Sequence, residues 1–138
     1  MTKGILASYI GVCRYAHIRI SAYPTSKMRE LVRACKAISA ETRLRILNIL
    51  MVRESSVSEV MQALQISQTR ASRNLGALYD AGLLNVKREG AWVLYSVDSE
   101  GLDGHSVELL SALRSMLEGD RIAREDVSRL SQAKRMPH

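Results

Sequence analysis

The chain has 138 residues, 46% of them hydrophobic, and 20 Lys/Arg against 14 Asp/Glu give a formal net charge of +6. That length suits one domain with its own core, and the positive balance suits a polyanionic partner. Two cysteines exclude a disulfide scaffold, and the three histidines (His17, His105, His138) are scattered in a chain with no Gly-rich phosphate loop and no Ser-His-acid pattern, which argues against an enzyme.

Residues 1–27 form an N-terminal extension. Gly4 to Tyr23 is moderately apolar, but Arg14, His17 and Arg19 put too much charge in it for a membrane span. It also lacks the marks of a signal peptide, because no small residue stands before Cys13 in Ile10-Gly11-Val12-Cys13. Pro24 separates it from the rest of the chain. The segment is either a helix or strand packed on the domain, or without fixed structure. Its charge is notable: the first 38 residues hold seven Lys/Arg against one acid, so most of the excess precedes the helical motifs further along the chain. A basic arm on flanking phosphates accounts for this, and a solvated tail nearly as well.

Ser56-Val57-Ser58-Glu59 has the pattern of a capping box, in which the Ser56 hydroxyl takes the Glu59 N–H and the Glu59 carboxylate reaches back. Val57, Val60, Met61 and Leu64 recur at helical spacing behind it and make one apolar face. Gln65-Ile66 is a turn, and Ser67 caps a second helix with Ala71, Leu75, Leu78 and Gly82 on one side, Ala71 and Gly82 allowing close packing. Gln68, Thr69, Ser72, Arg73 and Asn74 occupy its N-terminal end and other faces. A recognition helix meets base edges with such residues: Gln and Asn match adenine, Arg matches guanine, and Ser or Thr hold phosphates. Singly, each fits an ordinary solvated face; gathered at one helix start, they favour DNA.

Gly82 ends that helix and a hairpin comes after it. Asn85, Lys87 and Glu89 alternate with Leu84, Val86 and Arg88, and Trp92 to Val97 returns around a Glu89-Gly90 turn. Lys87 and Arg88 are the expected phosphate contacts of this wing, with Trp92 and Tyr95 as packing. Beyond it, Val107, Leu109, Leu110, Ala112, Leu113, Met116 and Leu117 make a broad apolar stripe on one helix, which with Met28 to Ile38 is the expected dimer seam. Residues 119–138 read as a polar tail, with Ile122, Val127 and Leu130 too sparse to hold more than a fraying helix.

From about Met28 to Leu117 the chain resembles the ArsR/SmtB family of winged-helix repressors. Ala37-Ile38-Ser39-Ala40-Glu41-Thr42-Arg43-Leu44-Arg45-Ile46-Leu47 is similar to the family's ALSDPTRLRIL opening. Ser67-Gln68-Thr69 with Ser72-Arg73-Asn74-Leu75 resembles its SQSTVSRHL recognition helix, Tyr79-Asp80-Ala81-Gly82-Leu83 its RDAGLV, and Arg88 to Tyr95 its RREGRWVYY wing. The resemblance implies a homodimer, joined by first and last helices, that binds operator DNA until a ligand weakens it. Met28 falls where a family chain commonly starts.

Departures from the family bear on the ligand. Its arsenic sensors carry ELCVCDL, where two thiolates capture a soft ion; Ser56 and Ser58 stand at those two positions, and hydroxyls are poor ligands for soft metals. Its zinc sensors use Asp-x-His followed by His-x-x-Glu across the dimer. Asp103-Gly104-His105 matches the first half, but Met116 and Gly119 fall on the second, so Asp103 and His105 are weak metal candidates and read more simply as a helix start. Cys13 and Cys35 are candidates for a thiol sensor, set against inert thiols in a reducing cytosol, with Cys35 expected among Leu31, Val32 and Ile38 at the dimer interface.

The expectation is therefore a mainly α protein with a small β-hairpin wing (α+β): a winged helix-turn-helix with a helical dimer interface over residues 28–118, between the extension 1–27 and the tail 119–138. It is read as a cytoplasmic regulator of double-stranded operator DNA, without cofactor and with an unnamed effector. The alternatives are a winged helix used for protein contacts and a regulator without a metal effector.

Overall fold

A computed structural model describes residues 26–97 and 104–136. The extension (1–25), Cys13, Asp103 and the side chain of His105 lie outside the described residues.

The first described helix, α1 (Lys27–Ile38), is capped by Ser26, whose hydroxyl accepts the Arg29 N–H at 3.3 Å. It turns Ala34 and Ala37 inward and leaves Met28, Leu31, Val32 and Cys35 exposed. Cys35 is exposed in the single chain beside Leu31 and Val32, because the small alanines rather than the larger residues face the core. Helix α2 (Glu41–Val52) is the centre of the fold. Ile46, Leu47 and Ile49 are fully buried, and every other helix together with the wing packs against it.

Helix α3 (Val57–Leu64) begins with the expected reciprocal capping box, and buries Val57, Val60, Ala63 and Leu64. Gln65 adopts the left-handed conformation (φ 57°), which turns the chain sharply into α4 (Gln68–Asp80), capped by Ser67. Ala71, Leu75 and Leu78 are fully buried, as the periodicity required. Gly82, at φ 82°, lets the chain leave α4 in a conformation that costs a Cβ-bearing residue strain.

Strands β1 (Asn85–Glu89) and β2 (Trp92–Ser96) pair antiparallel with Glu89 opposite Trp92. The reversal is therefore Gly90-Ala91, one residue later than the expected Glu89-Gly90. Gly90 takes φ 61° while Ala91 does not, matching a two-residue turn with Gly at its first central position. The strict alternation also fails on β2, where adjacent Leu94 and Tyr95 are both buried. Ser55 explains this: its backbone pairs with Tyr95 in both directions (2.9 and 3.0 Å), so β2 lies between β1 and a third short partner.

Helix α5 (Gly104–Leu117) rests on α2, with Leu110 buried, Leu109 and Leu113 half-buried, and Met116 79% exposed. The largest departure comes last. Residues 121–132, expected to fray, form helix α6 (Arg121–Gln132) packed against both α2 and α3. Leu130 is 1% exposed and Asp126 is fully buried. Asp126 takes a two-point hydrogen bond from Arg45 (Nε and Nη2, both 2.8 Å) and also meets Arg129. Arg129 and Arg53 donate to the Ala63 and Leu130 carbonyls. Sparse apolar residues sufficed because Ala123, Asp126, Val127 and Leu130 share one face, and the buried carboxylate on that face is charge-compensated.

Because Leu130 of α6 is buried in the hydrophobic core, Leu130→Ala should lower unfolding free energy by about 2–5 kcal/mol; an unchanged urea midpoint would mean α6 does not belong to the core. Glu59 is buried, which pushes its carboxyl up, but hydrogen bonds from the Ser56 N–H, Arg53 and Arg135 outweigh this and hold it below its ordinary value. Its stabilisation is thus present above the usual carboxylate range and lost as pH falls through the lower folded value. Glu59→Gln should flatten the acid limb of a stability-versus-pH curve there; a limb of unchanged steepness would assign it to other groups.

Candidate nucleic-acid interface

Seven residues are expected at this surface from the sequence, and the fold brings four of them onto one face of α4. Gln68, Thr69, Ser72 and Arg73 line a single open depression along the outer face of α4, continued by Gly76 and Ala77. Positions three and four apart make that face continuous on a helix. Gln68, Thr69 and Arg73 are exposed and Ser72 is half-buried, so all four can reach a ligand laid against the helix. The Ser67 hydroxyl accepts the Arg70 N–H at 3.2 Å, satisfying one of the donors at the start of α4.

Asn74 does not join them. It is half-buried on another flank, and its amide donates to the Arg70 carbonyl at 2.8 Å, one turn back. Two residues that sequence reasoning passed over hold α4 in place instead. Arg70 donates to the Thr42 hydroxyl on α2 at 2.8 Å, and Arg33 of α1 donates to the Asp80 carbonyl at 3.0 Å. The helix is fixed near its start and at its end by cations from its own and a neighbouring helix. An arginine facing the carbonyl end of a helix is favourable there, but sequence alone did not show which helix Arg33 would meet.

The wing is less freely positive than its sequence suggested. Lys87 Nζ lies 2.8 Å from Glu54 and 3.7 Å from Glu89. The hydrogen bond from Lys87 to Glu54 raises its ammonium pKa above the usual lysine value. Arg88 is exposed and its Nε donates to the Gly90 carbonyl at 3.1 Å, which stiffens the turn. Both remain accessible to a phosphate, but Lys87 meets it only by sharing or leaving Glu54.

At the start of α3, Ser56 and Ser58 point their hydroxyls at each other, 2.9 Å apart. They hold no soft-metal ligand chemistry, and among the described residues no group of three or more His, Cys, Asp or Glu gathers in metal-binding range.

Residues 40–86 match the family model described as "Bacterial regulatory protein, arsR family". The chain is 37% identical over 78 residues to the transcriptional activator HlyU of Vibrio cholerae, spanning 56% of this chain and 71% of that protein. It is 30% identical over 95 residues to the arsenical resistance operon repressor of Bacillus subtilis, covering 67% of this chain and 90% of that one. Among solved structures, a homodimeric winged helix-turn-helix DNA-binding domain from Mycobacterium bovis, described as a possible ArsR-family regulator, superimposes with a TM-score of 0.57 at 26% identity, over 72% of this chain and 93% of that one.

Glu54→Gln should bring the Lys87 ammonium pKa down toward the ordinary lysine value, followed by NMR titration of its Nζ-linked carbon; an unmoved titration would deny the ion pair in solution.

Proposed function

The chain belongs to the ArsR family of bacterial regulatory proteins, and from that membership we propose a homodimeric repressor that reads operator DNA and is released by a ligand or a thiol modification. It is a winged helix-turn-helix transcription regulator, not an enzyme. The observation that carries the reading is the open face of α4: Gln68, Thr69, Ser72 and Arg73 side by side at the N-terminal half of a helix whose far side is fully buried. Gln68 supplies a paired donor and acceptor and Arg73 a fork of donors suited to base edges, while Thr69 and Ser72 suit phosphates. Asn74, bonded to the Arg70 carbonyl, stands outside that row. Lys87 and Arg88 on the wing supply sequence-independent attraction.

Two copies are required for this reading. Met28, Leu31 and Val32 on α1 and Met116 on α5 leave large apolar side chains 45–79% exposed in the single chain, and a partner covering them accounts for that exposure. Dimer symmetry then sets a near-palindromic site with half-sites about 34–36 Å apart. The sign of regulation follows the Bacillus subtilis repressor; the Vibrio cholerae activator shows the other sign within the same family. Among the described residues no helix is long and apolar enough to cross a membrane, in keeping with a cytoplasmic place of action. Cys35, on the same α1 face as Leu31 and Val32, is the thiol whose modification would act on that seam, and a soft-metal effector at Ser56 and Ser58 is set aside on ligand chemistry.

Fluorescence anisotropy with DNA from upstream of the gene tests the reading, and binding without salt dependence would turn it toward a protein-contact module. Arg73→Ala should weaken operator binding by about 1–3 kcal/mol while sparing random DNA. Equal losses on both would reduce Arg73 to a phosphate contact.

A further inference from the structure

Beyond α6 the chain runs on as a short strap across the start of α3. The Met136 N–H donates to the Ser58 hydroxyl at 3.1 Å. Gln62 grips the Lys134 backbone at both ends, its Oε1 accepting the Lys134 N–H at 3.0 Å and its Nε2 donating to the Lys134 carbonyl at 2.7 Å. Between them Arg135 donates to the buried Glu59 carboxylate at 3.1 Å. The same guanidinium stands 6.0 Å from the centre of the Trp92 ring, at the first residue of β2. The strap thus holds the helix that leads into α4 on one side and the wing on the other.

That placement is specific. Side-chain amide to peptide pairing reads the strap backbone as a strand would, and a cation shared between a carboxylate and an indole face is directional. Ser56, Ser58 and Glu59 form one hydrogen-bonded group, so the two serines set against soft-metal capture are here part of the seat of the strap.

We propose that residues 134–136 are a latch: seated, they fix the wing relative to the α3–α4 pair, and unseated, they free the wing to move and lower the population of the DNA-competent arrangement. This rests on the DNA-reading function proposed above and adds how it is regulated. The occupied latch makes the apparent DNA affinity depend on the seated fraction, and whatever displaces the strap from Ser58, Gln62 and Glu59 acts as a releaser. The tie contributes to wing order without touching DNA.

A full-length chain, one ended at Ala133 and an Arg135→Ala variant test this, since stopping at Ala133 keeps the C-cap of α6. Hydrogen exchange is followed at the Tyr95 and Ser55 amides, which bond each other's carbonyls. Acrylamide quenching is followed at Trp92, the single tryptophan. Both altered chains should exchange faster at Tyr95 and quench more readily, with helix content unchanged. Operator affinity should fall roughly twofold to thirtyfold. Unchanged exchange at Tyr95, or operator affinity equal to or above that of the full chain, would overturn the latch. If no chain bound DNA while exchange still quickened, the functional reading would fall and the mechanical tie would stand.

Discussion

The structure turns on one buried carboxylate. Glu59 sits 3% exposed in the first turn of α3, where leaving water is unfavourable for a charge. It is offset by three directed partners: the Ser56 N–H at 2.8 Å, Arg53 at 2.6 Å and Arg135 at 3.1 Å. Each partner belongs to a different piece of chain. Ser56 is the start of α3, Arg53 comes just after the end of α2, and Arg135 lies beyond α6. One group therefore begins the helix-turn-helix, fastens it to the central helix, and receives the C-terminal strap. Loss of any one partner raises the cost of keeping that charge in a low-dielectric site, while the other two contacts still hold it.

From that point outward, order is passed along short rigid links. Gln65 turns the chain at a fixed angle, Ser67 starts α4, and Arg70 and Arg33 tether its two ends to α2 and α1. The outer face of α4 can thus be lined with Gln68, Thr69, Ser72 and Arg73 without any of them serving the core. The division is sharp: Ala71, Leu75 and Leu78 are fully buried on the opposite side. A reading surface of this kind costs little stability because the residues that hold the helix and those that face outward are different sets.

Much of this was legible in the sequence because it is local. The capping box at Ser56, the cap at Ser67, the periodicity of Ala71, Leu75 and Leu78, and the wing pairing each lie within a few residues, where spacing dictates geometry. What escaped was long-range. Asp126 reads as one more solvated acid until Arg45, 81 positions away, meets it, and only then does 121–132 become a packed helix. Ser55 carries no strand signal, yet its pairing with Tyr95 explains two adjacent buried residues on β2. Asn74 looked like a reader because sequence gives residue type at a position, not where its amide finds an acceptor. Lys87 likewise looked free until Glu54 stood beside it.

The placement of α6 bears on how small this protein can be made. Residues 40–86, which the family model matches, read as a portable cassette, yet much of what shields them comes from elsewhere in the chain. Leu130 and Ala123 cover α2 and α3, and Asp126 neutralises Arg45. Cut down to the matched stretch, the piece would carry bare apolar flanks and a guanidinium without its counter-ion, inviting aggregation. Autonomy therefore belongs to a longer unit, one that runs through the C-terminal helix. Fragments meant for crystallisation or fusion should keep it whole.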